Sequence, residues 1–191
     1  MTLDEISALE ASWLNRVQVS ERGKYFDWQP ADPGVFTELL YLCLPHVPPG
    51  NRTFLDAGCG IGTKCLIAAD AGLDARGFDR VPEYVAEARR LGVSAEPGLA
   101  EDYQEYGRFG LVYVNHPMVC GPGCEDEAVL EHYIHEQMAP GSVLMFANYD
   151  LAPGCSVHPP SQPCTDACPH DAAAWPQIAR LGAWNAAWVK P

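Results

Sequence analysis

The most constraining stretch of the chain is Leu55-Asp56-Ala57-Gly58-Cys59-Gly60-Ile61-Gly62, three glycines at alternate positions directly behind a short apolar run. Glycines so spaced suit neither a helix nor a strand interior, where each costs ~0.5–1 kcal/mol relative to alanine. They suit a turn that needs positive φ or a close backbone approach to a ligand. Thr53 to Ala57 before the turn reads as a buried strand. Lys64 to Ala71 after it reads as a helix, ended by Gly72. Ligands of open α/β sheets bind where such turns leave the carboxyl ends of strands.

The same alternation runs through the rest of the chain. Ala75 to Phe78 is expected as a second strand, and Pro82 to Leu91 as a helix ended by Gly92. Val93 to Ala95, Leu111 to Val114 and Ser142 to Ala147 follow as strands, with a helix from Cys124 to Met138 stopped by Pro140-Gly141. Ile178 to Leu181 and Asn185 to Val189 are expected to close the sheet as a final pair. Upstream, Leu3 to Leu14 reads as a short helix. Asp32-Pro33 starts another, with an N-cap carboxylate and proline at the first helical position, which stops before Pro45. Strands alternating with helices mean an α/β fold with a mainly parallel sheet. The 191 residues suit one domain, with 1–45 as an N-terminal helical cap segment and 151–174 as a Cys/Pro-rich loop.

Two cofactor classes use a glycine turn of this kind. Dinucleotide enzymes want G-x-G-x-x-G, whose third glycine falls at Thr63 here. The spacing is instead G-x-G-x-G, preceded by Asp56. A carboxylate there repels a pyrophosphate and suits a ligand carrying an ammonium and a sulfonium. Downstream, Gly77-Phe78-Asp79-Arg80 places a second acid at the end of the second strand, 23 residues after Asp56.

This pattern resembles motif I and the following acid of class I S-adenosylmethionine-dependent methyltransferases, through motifs between residues 53 and 118. The resemblance implies a Rossmann-like, seven-stranded, mainly parallel sheet with an antiparallel last strand, and S-adenosyl-L-methionine as cofactor. It implies that Asp56, Gly58, Cys59, Gly60 and Gly62 form the cofactor loop, and that Asp79, beside Arg80, accepts hydrogen bonds from both ribose hydroxyls. Where the family usually offers an acid near the adenine, this chain has Leu99 and Ala100. Leu99 is expected to pack on the adenine, with Glu101 or Asp102 within reach of its amino group.

The fourth strand ends Asn115-His116-Pro117-Met118. Amino-methylating members of the superfamily carry Asn/Asp-Pro-Pro-aromatic here, so Asn115 and Pro117 match while His116 and Met118 depart. By this resemblance Asn115 faces both cofactor and acceptor, and its oxygen accepts a hydrogen bond from the target nitrogen. His116 is the candidate base, because its pKa lies near operating pH; the alternative is a histidine that only bonds loop backbone. Tyr25, Phe26 and Trp28 either fold over the site or pack as core. His132 and His135, with Glu131 and Glu136, read as a solvated helix face rather than a metal site.

Eight cysteines divide into two groups. Cys43, Cys59 and Cys65 read as small buried thiols. Cys120, Cys124, Cys155, Cys164 and Cys168, with His158 and His170, leave the sheet edge where they could meet. Zinc, disulfides and free thiols all remain open for them.

Composition bounds the partners. Twelve basic and 25 acidic residues give −13, which disfavours direct binding to a phosphate backbone. Nothing in the chain looks like a membrane span or a signal peptide, so a cytoplasmic protein is expected. The expected activity is methyl transfer to a small molecule or protein side chain, with nitrogen the favoured acceptor. The alternatives are a nucleic-acid base methyltransferase targeted by a partner, and a non-catalytic S-adenosylmethionine-binding protein.

Overall fold

The computed structural model describes residues 1–20, 30–100, 102–115, 134, 137–147, 175–182 and 185–191, without side chains for 14–20. Tyr25, Phe26, Trp28, Glu101, His116, Pro117, Met118, most of the helix expected from Cys124, with His132 and His135, and the cysteine-rich segment lie outside these residues.

Seven strands form one sheet: β1 (Thr53–Ala57), β2 (Asp74–Asp79), β3 (Ser94–Pro97), β4 (Leu111–Asn115), β5 (Val143–Ala147), β6 (Gln177–Leu181) and β7 (Asn185–Val189). Their order is β3-β2-β1-β4-β5-β7-β6. The pairs from β3 to β5 are all parallel, whereas β7 runs antiparallel to both β5 and β6. The expected α/β sheet with an antiparallel last strand is therefore present. Both faces are covered, so the central strands are apolar on each side, and β5 is buried at all five positions. Alternate residues feed two cores: Val143, Met145 and Ala147 join one, Leu144 and Phe146 the other.

Four helices are described: α1 (Leu3–Ser20), α2 (Pro33–Cys43), α3 (Thr63–Asp70) and α4 (Pro82–Arg90). Asp32 caps α2 as expected, accepting the Val35 N–H at 2.9 Å. Phe36, Leu39 and Leu40 of α2 are wholly buried, and Phe36 meets Tyr113 edge-on at 4.7 Å. The expected cap segment thus divides, with α2 built into the core and α1 lying over the glycine loop. α1 also runs six residues beyond its expected end, since nothing between Leu14 and Ser20 breaks a helix. Cys43, Cys59 and Cys65 are free, buried thiols.

Candidate cofactor-binding site

The parallel register brings the expected residues to one edge of the sheet. Ala57 at the end of β1 stands opposite Phe78 of β2 and Val114 of β4, one residue short of Asp79 and Asn115 respectively. Asp79 pairs with Pro97 at the end of β3, which leads directly to Gly98, Leu99 and Ala100. Four strand ends therefore carry the loop, Asp79, Leu99 with Ala100, and Asn115.

Backbone hydrogen bonds tie these exits together. The N–H groups of Gly58 and Cys59 both donate to the Phe78 carbonyl, at 3.0 and 2.8 Å, and Gly98 N–H donates to the Asp79 carbonyl at 3.1 Å. Gly58, Gly60 and Gly62 all have positive φ, at 83°, 53° and 81°. Gly62 is further constrained, because a Cβ there would lie 2.9 Å from Val93 Cγ2 and 3.1 Å from Ala88 Cβ. It is the residue before Thr63, where α3 begins. The close approach that dinucleotide motifs assign to a glycine one place later falls on Gly62.

Asp79 is buried and its carboxylate is held by backbone. Its Oδ2 accepts the Gly60 N–H at 2.8 Å and its Oδ1 the Val81 N–H at 2.9 Å. Burial raises its pKa above the usual carboxylate range, against the lowering effect of those two N–H donors. Asp56 is more deeply enclosed. Burial pushes its carboxyl up to about 8, Lys64 opposes the shift, and Asp79 and Glu10 add to it. Arg80 is exposed, Leu99 is exposed, and Asn115 is half-buried. The Ala100 carbonyl accepts from the buried Tyr106 hydroxyl at 2.9 Å. Tyr103 stacks on Phe78, ring centroids 4.5 Å apart, between the ends of β2 and the Leu99 segment.

No family model matches the chain. An uncharacterized RNA methyltransferase of Bacillus cereus is 32% identical over 90 residues, a stretch that is 41% of this chain but 19% of that protein's length. Among solved structures, an RNA methyltransferase from Salinibacter ruber, in complex with S-adenosyl-L-homocysteine, superposes with a TM-score of 0.59. It is 18% identical, and the match covers 85% of this chain and 94% of that one. Magnesium protoporphyrin IX methyltransferase from Synechocystis PCC 6803, with bound SAM, gives a TM-score of 0.55 at 15% identity, covering 100% of this chain and 99% of that one.

The chain has the fold of the class I methyltransferases.

Three residues of this methyltransferase fold escaped the sequence reading. Glu10 of α1 is 4% exposed and accepts from Lys64 Nζ at 2.6 Å and from the Thr63 hydroxyl. Lys64 and Thr63 are the first two residues of α3 and are themselves buried. Around them Trp13, Ile61, Val81 and Tyr84 form a small apolar cluster, with Trp13 edge-on to Tyr84 at 5.1 Å. A signal existed. Ile6, Glu10 and Trp13 recur at helical spacing, so the carboxylate lies within the buried stripe of α1.

Among the described residues, no group of His, Cys, Asp and Glu is arranged to hold a metal ion. The cysteines that raised the zinc question lie outside them. No helix among the described residues is long and apolar enough to cross a membrane.

Proposed function

We propose that the chain is an S-adenosylmethionine-dependent methyltransferase acting on a nitrogen of a small molecule or protein side chain. The observation that carries the cofactor assignment is the pair of buried carboxylates, Asp56 and Asp79, bracketing a positive-φ glycine loop. Two acids in a desolvated cradle suit a cationic ligand and oppose a polyphosphate. The cofactor, when bound, supplies a methyl group already activated on a sulfonium.

The chain's own residues then bind, orient and deprotonate. Gly58, Cys59, Gly60 and Gly62 bring backbone against the ligand, and Asp56 offers its carboxylate to the ammonium. Asp79 has two oxygens with about four acceptor sites between them. Gly60 and Val81 take two of these, which leaves capacity for the ribose hydroxyls. Leu99 and Ala100 border the adenine, with Arg80 beside the ribose. Asn115 accepts a hydrogen bond from the acceptor nitrogen, and His116 takes the proton that methylation releases. Most of the rate gain in such a reaction comes from alignment.

A second reading has its own support: the relative from Bacillus cereus and the Salinibacter ruber structure are both RNA methyltransferases. The charge of −13 opposes unaided RNA binding, so this reading requires a basic partner.

Calorimetry with S-adenosylhomocysteine tests the cofactor assignment, and binding in the micromolar range is expected. No heat at high micromolar concentration would reject it. Methyl transfer from labelled cofactor to amine panels, and to RNA with and without cell extract, separates the two acceptor readings. Label entering RNA alone would replace the first with the second.

A further inference from the structure

We infer that Glu10 is a positioning residue of the cofactor site, because its pairing with Lys64 and Thr63 makes docking of α1 and cofactor binding one coupled equilibrium. The inference rests on the cofactor assignment above.

The starting point is a pair of opposite charges where few are found. The Glu10 and Lys64 side chains are each only 6% exposed and 2.6 Å apart. Burying two charges consumes most of what their attraction returns, so a pair like this adds little net stability over apolar packing. Its effect is on arrangement. Glu10 lies on the face of α1 that carries Ile6 and Trp13, while Thr63 and Lys64 open the helix that Gly62 introduces. A carboxylate at that place also meets the positive end of the α3 dipole. One side chain thus fastens α1 to the residue immediately following the glycine loop.

The charges around Asp56 explain why this matters for a ligand. The charges that act on Asp56 of β1 are Lys64 of α3, which favours its ionisation, and Asp79 of β2 and Glu10 of α1, which oppose it. Tyr113 of β4 pairs with Asp56 in register, and its wholly buried hydroxyl has no hydrogen-bond partner among the described residues. Among the described residues the thiols of Cys59 and Cys65 also feel Asp56, and burial holds both neutral. Lys64 is the cation in this set, and Glu10 engages it. Without Glu10, Lys64 becomes the counter-ion of Asp56 and competes with the ligand's ammonium for the same carboxylate. Conversely, an ammonium bound at Asp56 drives Lys64 toward Glu10 and tightens α1 on the loop. Linkage makes the two effects equal in size.

Amide hydrogen exchange across α1, with and without S-adenosylhomocysteine, is the first measurement. Ligand is expected to slow exchange in α1 of the wild-type protein. Glu10→Gln keeps the shape and removes the charge; it should weaken binding by about 5- to 150-fold, the usual range of coupling, and abolish the added protection. The decisive variant is Glu10→Gln combined with Lys64→Met. With the competing cation gone, its affinity should return to within a few-fold of wild type, which a merely structural role for Glu10 would not produce. The double variant also buries neither charge alone, so it keeps the test valid where the single variant does not fold. Wild-type binding with unmoved α1 exchange, a single variant that binds like wild type, or a double variant no tighter than the single one would each overturn the inference alone. No wild-type binding at all would overturn the cofactor assignment, and this inference with it.

Discussion

Asp79 and Gly60 are joined by a 2.8 Å hydrogen bond in which a side chain at the end of β2 accepts the N–H at the middle of the glycine loop. The same carboxylate holds Val81 N–H at 2.9 Å, just ahead of α4. One residue therefore shapes the loop and, in the proposed function, meets the ligand.

Asp79→Ala should affect both roles. It leaves two backbone donors without their partner, at about 1–3 kcal/mol each if they stay dry. Urea denaturation should show the loss in the absence of any ligand. Asp79→Asn can still accept one of the two bonds, so it should be less destabilised than Asp79→Ala and still bind S-adenosylhomocysteine poorly. Equal stability of wild type and Asp79→Ala would show that the bonds carry no weight.

Gly62→Ala and Gly58→Ala separate backbone strain from crowding. Both glycines have φ above 80°, so each alanine incurs roughly 1–2 kcal/mol of left-handed strain. Among the described residues nothing lies within 4 Å of a Cβ at Gly58, whereas one at Gly62 collides with Val93 and Ala88. Overpacking adds roughly 1–3 kcal/mol at Gly62 only. Chemical denaturation should rank Gly62→Ala clearly below Gly58→Ala; the reverse order would contradict the described packing.

Asp56 should imprint a pH dependence. Its carboxyl titrates near 8 in the folded chain, against about 3.9 when unfolded. Between those values the folded state holds a proton that the unfolded state has released, so stability contributed by this group is present below about pH 4 and lost as pH rises through 8. Asp56→Asn removes the effect. Its melting temperature relative to wild type should therefore rise from pH 5 to pH 9. A ligand ammonium that ionises Asp56 should also release up to about one proton at pH 7, visible as a buffer-dependent binding enthalpy.

Trp13→Ala should loosen α1 without touching the sheet. Trp13 is 9% exposed and packs edge-on against Tyr84. Truncating a buried tryptophan costs ~3–5 kcal/mol, more than a peripheral helix is expected to hold in reserve. Limited proteolysis should then cut within residues 3–20 while the remaining domain resists. Intact α1 under those conditions would argue that Glu10 alone is sufficient to dock it.

The sheet was legible because its strands are short apolar runs punctuated by glycine and proline, and β1 and β7 appear with the bounds expected. Ends were harder to read. Ser94–Pro97 replaced an expected strand from Val93 to Ala95, since Val93 packs against the Gly62 turn and pairing begins only afterwards. Asp56 and Asp79 stood out because one precedes the glycine loop and the other ends the second strand, and the structure puts them beside the loop and at the end of β2. Glu10 and Lys64 were not, because partners 54 residues apart are brought together by tertiary packing, and neither carries a local mark of its partner. His116 and the cysteine-rich segment lie outside the described residues.

The strand order has a consequence for how such a chain is made. β7 lies between β5 and β6, so β6 is synthesised before the strand that separates it from β5. Until residue 189 has left the ribosome, Val143–Ala147 offers an open backbone edge whose five side chains are all destined for the interior. An unpaired apolar edge is a template for other chains. Pairing of β7 is therefore what closes this edge, and a chain lacking residues 185–189 is expected to associate more readily than the whole one.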